Sequence, residues 1–78
     1  MEVTDEMESK LFKLLSKNFN KFDGEIPVNN LYDIVKSDES VSSIITNQRH
    51  LILILEKLHN KANIFYSTEK EGGSVLQL

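Results

Sequence analysis

The stretch Arg49-His50-Leu51-Ile52-Leu53-Ile54-Leu55-Glu56-Lys57-Leu58-His59-Asn60 decides the fold. Its five consecutive apolar residues, Leu51 to Leu55, fit either a strand buried on both faces or a helix with apolar side chains all round. A strand of that kind needs cover on both sides, as in a parallel sheet. A chain of 78 residues has no repeated strand–helix–strand units to supply it. The flanks favour a helix. Leu51, Ile54, Leu55, Leu58 and Ala62 fall within one arc at about 100° per residue. The adjacent polar pair Glu56-Lys57 breaks any strand alternation, and Thr46 or Asn47 can cap the start. The spacing therefore predicts a helix over residues 47–60, with the isoleucines costing only a few tenths of a kcal/mol each.

The rest of the chain arranges itself around that helix. Met7, Leu11, Leu14, Leu15, Phe19 and Phe22 recur at spacings of three and four, which is one helical stripe. Asp5 followed by Glu8 has the form of a capping box. The acids Glu2, Asp5, Glu6 and Glu8 precede the lysines Lys10, Lys13, Lys17 and Lys21, an order that complements the helix dipole. Gly24 in "FDGE" ends the helix. "EIPV" contains Pro27 and suits only an edge strand. "NNLYDIVKSD" predicts a short helix capped by Asn29 or Asn30, with Leu31, Ile34 and Val35 inward. "SDESVSSIIT" reads as a polar loop anchored by Val41, Ile44 and Ile45. "NIFYS" and "SVLQL" read as two strands of a hairpin, bent at Gly72-Gly73.

These elements predict one α+β domain over residues 1–78, a small winged helix-turn-helix with three helices, a short edge strand and a C-terminal β-hairpin wing. Residues 1–4 are expected to be flexible. A helical bundle with a disordered tail is the structural alternative. The expected core contains Leu11, Leu14, Leu15, Ile34, Leu51, Leu55 and Leu58. With no cysteine, neither a disulfide nor a thiolate zinc site can brace the fold, so a single hydrophobic core must carry it. The acidic start "MEVTDEMESK" lacks the apolar segment of a signal peptide, and no apolar run is long enough for a membrane span. A monomer in the nucleus or cytoplasm is expected.

The predicted third helix occupies the slot that nucleic-acid readers of this layout place in the major groove. Its outward face collects Arg49, Leu53, Glu56, Lys57 and Asn60. Two cations, one acid, an amide and a leucine are poor chemistry for phosphates, and the wing tip "TEKEGG" adds two acids against one lysine. The net charge of −3 points the same way. Leu53, opposite the core arc and ringed by polar residues, is either a scattered surface leucine or an apolar anchor for another protein. Lys10, Lys13, Lys17 and Lys21 share one flank of the first helix, either as a solvated face or as a docking strip for an acidic partner or phosphates. His50 and His59, nine residues apart, have no carboxylate or cysteine at metal-ligand spacing. There is no phosphate loop and no nucleophile motif, so no catalysis, metal or cofactor is expected.

The stretch from "LFKLLSKNFNKFDGEIPVNNLYDIVK" (residues 11–36) to "LEKLHNKANIFYSTEKEGGSVLQL" (residues 55–78) resembles the winged-helix domain that ends cullins, most of all that of the cullin-type subunit of the anaphase-promoting complex. Winged helices that end replicative helicase subunits share the spacing. Ordinary cullins carry, after the first helix's apolar stretch, a lysine to which a ubiquitin-like protein is attached. That position falls on Ser16 here, with Lys17 one step on. The Tyr-x-Tyr-x-Ala ending of ordinary cullins is also absent. Both departures suit the anaphase-promoting variant better than an ordinary cullin. The resemblance implies a non-catalytic part of a multisubunit ubiquitin ligase of the cell cycle that helps position a ubiquitin-conjugating enzyme near the RING subunit. The alternative is a DNA- or RNA-binding winged helix of a replication or transcription factor.

Overall fold

A computed structural model describes all of residues 1–78. The apolar run from Leu51 to Leu55 is helical, within a helix spanning Gln48–Asn60. Asn47 starts it by accepting the His50 N–H at 2.8 Å, which resolves the choice between Thr46 and Asn47. Leu51, Ile54, Leu55 and Leu58 are buried. The apolar arc stops there: Ala62, expected to extend it, is exposed and lies beyond the helix with φ 61°. The reason is the way the helix ends. Ala62 N–H donates to the His59 carbonyl and Asn63 N–H to the Leu58 carbonyl, both at 3.0 Å. This paired closure needs a left-handed residue after the helix, and Ala62 fills that position.

The element order is α1 (Asp5–Asn18), a 3-10 turn (Phe19–Phe22), β1 (Glu25–Pro27), α2 (Val28–Ser37), α3 (Glu39–Ser42), α4 (Gln48–Asn60), β2 (Phe65–Ser67) and β3 (Ser74–Leu76). The strands form one antiparallel sheet in the order β1-β3-β2, with Ile26 and Tyr66 both opposite Val75. β1 is thus an edge strand, as Pro27 requires. Gly73, at φ 82°, suits glycine: any side chain there would be strained by the backbone conformation, and its Cβ would lie 3.1 Å from the Tyr66 ring and 3.3 Å from the Ser67 carbonyl. The architecture is α+β, with four helices and a three-stranded sheet around one core. That core joins Leu11, Leu14, Leu15 and Phe19 to Ile26, Val28, Leu31, Val35, Val41 and Ile45, and to the inward face of α4, Ile64 and Val75.

Several local expectations are corrected. The α1 cap is Thr4, whose hydroxyl accepts the Met7 N–H at 3.2 Å; Asp5 and Glu8 form no capping box. Glu8 turns inward, is only 8% exposed, and pairs with Lys61 at 2.8 Å. Thr4 caps α1, Val3 packs on the core, and buried His50 donates from Nε2 to the Glu2 carbonyl at 2.7 Å. Neither Asn29 nor Asn30 caps α2, which starts at Val28 directly after Pro27. The edge strand runs straight into this helix, and the Val28 N–H is already taken by the Gly73 carbonyl at 3.0 Å. The expected loop after α2 contains a fourth helix, α3, because Asp38 accepts the Ser40 and Val41 N–H groups at 3.0 and 3.2 Å. Ile34, expected in the core, is only partly buried at its edge.

Candidate functional site: the outward face of the fourth helix

Arg49, Leu53, Glu56, Lys57 and Asn60 lie within about 100° of arc at the pitch of an α-helix, opposite the buried face. Arg49, Glu56, Lys57 and Asn60 are exposed and Leu53 is half-buried. The partly buried apolar residues that pack on the core include Ile52 but not Leu53. Leu53 owes its place to the register of the apolar run. With residues 51, 54, 55 and 58 inward, residue 53 points away from them.

The start of α4 is tied to the start of α2, since the Gln48 side-chain amide donates to the Asn29 oxygen at 3.0 Å. Its last turn is tied to the hairpin. His59 Nδ1 accepts the Tyr66 N–H at 3.2 Å, and the His59 and Phe65 rings meet edge-to-face, 5.1 Å between centroids. Phe65 is 47% exposed and extends the apolar content of this side of the molecule beyond the residues read from the helical wheel. Ile64, just before β2, is buried, Phe65 at its start is exposed, and Tyr66 is half-buried.

The wing tip is more acidic than its composition indicates. Lys70, the one cation of "TEKEGG", lies 3.1 Å from both oxygens of Glu25 on β1. The neighbouring Ser74 hydroxyl is buried without a hydrogen bond of regular geometry, yet it is the main influence holding the Glu25 carboxyl below its ordinary value, with Lys70 adding to it. Glu69 and Glu71 have no such partner. A phosphate backbone approaching α4 beside the wing would meet these two acids.

The lysines of α1 gather at a different place. Lys10, Lys13 and Lys17 border a depression of about 200 Å³ with Leu14, Asp38, Ser40 and Val41. Lys21 borders a second one with Leu14, Asn18, Asp33, Ile34, Ser37 and Asp38. Neither depression is lined by a residue of α4. No three histidine, aspartate or glutamate side chains come together in a way that could hold a metal ion. No helix is long and apolar enough to cross a membrane. No family model, no curated protein and no solved structure matches the chain.

Proposed function

We propose that this chain is a non-catalytic protein-interaction module of winged-helix type, which docks a protein partner on the outward face of α4 with the hairpin beside it. The order helix, strand, helix, short helix, helix, hairpin, with β1 paired to the second hairpin strand, supports the winged-helix reading. The observation that carries the docking reading is Leu53, an apolar side chain set among Arg49, Glu56, Lys57 and Asn60 and not packed on the core. An apolar centre inside a polar rim is the anatomy of a protein interface. In the cullin-like version the partner is a ubiquitin-conjugating enzyme, the module belongs to a multisubunit ubiquitin ligase, and the compartment is nucleus or cytoplasm; the spacing of residues 11–36 and 55–78 supports that version.

The test is capture of partners from a cell extract by the domain and by Leu53→Asp, followed by titration of each captured protein and of purified ubiquitin-conjugating enzymes. Leu53→Asp keeps the parent's circular dichroism and melting curve and weakens partner binding by at least about tenfold, the size expected for losing one buried apolar anchor. Unchanged binding by that variant overturns the choice of face. Duplex DNA binding at micromolar affinity or tighter, weakening steeply between two salt concentrations, overturns the protein-docking reading in favour of nucleic-acid recognition.

A further inference from the structure

The two depressions beside α1 are adjacent, share Leu14 and Asp38 on their borders, and together make a two-part trough between α1 with its 3-10 turn and the α2–α3 segment. Lys10, Lys13 and Lys17 stand along the α1 wall at steps of three and four residues, and Lys21 follows four residues on, in the 3-10 turn. Over the seven residues from Lys10 to Lys17 the α-helical part of this row is about 10 Å long. The row holds four of the chain's nine basic residues, in a chain whose net charge is −3. Few of their charges are paired, although the Asp38 carboxyl across the trough, lowered first by the Ser40 hydroxyl, is lowered further by Lys17. Lys10 has one long contact, 3.6 Å to the exposed Glu6, and Lys13, Lys17 and Lys21 have no carboxylate within ion-pair distance. The apolar groups bordering the trough are Leu14 and Val41, both buried, and Ile34, which is only half-buried.

The opposite wall has the other sign. It presents Asp33, paired only with Lys36 at 3.4 Å, and Asp38, with the hydroxyls of Ser37 and Ser40. A nucleic-acid strand is anionic along its whole length and would be attracted by one wall and repelled by the other. A peptide can carry carboxylates on one edge only. We propose that this trough binds an acidic amphipathic peptide segment of a partner protein, with a row of carboxylates against Lys10, Lys13, Lys17 and Lys21 and an apolar side chain over Leu14 and Ile34. The opposed charges of the two walls fix which edge of the peptide faces α1. This surface is separate from the α4 face and its proposal does not rest on that reading.

Fluorescence anisotropy with defined probes tests it. One probe is a labelled helical peptide with Glu at its first, fourth, eighth and twelfth positions and Leu at its fifth. A second is a scrambled peptide of the same composition, and a third is a labelled single-stranded twelve-nucleotide DNA. The patterned peptide binds at least about tenfold more tightly than the scrambled one and than the DNA, because only it matches the lysine spacing and avoids Asp33 and Asp38. Lys13→Glu with Lys17→Glu weakens its binding by a further factor of about ten or more, and raised salt weakens it in the parent. Should the double glutamate variant fail to fold, Lys13→Gln with Lys17→Gln replaces it, and unchanged affinity in the folded double variant overturns the proposal. Equal binding of patterned and scrambled peptides, tighter binding of the DNA, or no binding by any probe overturns it as well.

Discussion

Leu53 and Leu55 are two residues apart in one apolar run and have different environments: Leu55 is fully buried in the core, and Leu53 is half-buried outside it. Leu55→Ala should cost about 2–5 kcal/mol, the range for emptying a packed site, whereas Leu53→Ala should cost well under about 1 kcal/mol. Urea unfolding of the two variants measures the contrast, and equal costs would mean that the helix is rotated from the register described. Ala62 is strained in the other direction. A left-handed alanine loses on the order of 1 kcal/mol relative to glycine, so Ala62→Gly should stabilise the domain by up to about that amount. A lower urea midpoint for Ala62→Gly would show that the helix does not close through Ala62. Glu8 and Lys61 also act at this scale. A carboxylate only 8% exposed, bonded at 2.8 Å to a half-exposed ammonium, joins the first turn of α1 to the end of α4.

At the scale of elements, helix starts are set by whichever side chain reaches the free N–H groups. Thr4, Asp38 and Asn47 do so for α1, α3 and α4, while α2 begins without a side-chain cap. Thr4→Ala should therefore destabilise by about 1 kcal/mol, and Asp5→Ala by much less, as read from thermal melts at neutral pH. A larger loss for Asp5→Ala would restore the capping box read from the sequence. Thr4, the cap observed, and Asp5, the cap read from the sequence, precede the same apolar stripe one residue apart, and spacing alone does not separate them. α3 was missed for a related reason. Four residues are too short to show a period; the Asp38 side chain starts the turn, and backbone bonds such as Ser42 N–H to the Asp38 carbonyl at 2.8 Å close it.

At the scale of the whole molecule, the charged groups predict how stability varies with pH. Asp38 is held below its ordinary value of 3.8, first by the Ser40 hydroxyl and then by the Val41 and Ser40 N–H groups. A carboxyl lowered by folding stabilises above its ordinary value and ceases to do so as pH falls through the lower folded value. Glu25 acts in the same sense below its ordinary value of 4.5. Lys61 is raised above its ordinary value of 10.5, first by the hydrogen bond to Glu8. Its contribution is complete below that value and disappears as pH rises through the higher folded value. Urea midpoints should therefore be level through neutral pH, fall on the acid side below about pH 4 and fall again on the alkaline side above about pH 10.5. Asp38→Asn, which retains a capping oxygen, should make the acid limb shallower and leave the alkaline limb as it is. Lys61→Met should do the reverse. An acid limb identical in parent and Asp38→Asn would rule Asp38 out as a contributor.

The sequence by itself determined the helical reading of residues 48–60, the inward set Leu51, Ile54, Leu55 and Leu58, the edge position of the proline-containing strand and the hairpin around Gly72-Gly73. Each is a local matter: a period of 3.6 residues, a missing N–H, a positive φ. Tertiary structure alone decided the pairing of Glu8 with Lys61, of His50 with the Glu2 carbonyl and of Gln48 with Asn29. It also decided that Lys70 is spent on Glu25 and that Asp33 and Asp38 face the lysine row across a trough. These partners are 19 to 53 residues apart along the chain, apart from the lysine trough, whose walls come from separate helices. Hydrophobic periodicity states which face of an element is buried. Which element covers it, at what angle and with which side chains meeting at the rim, follows from packing the whole core at once.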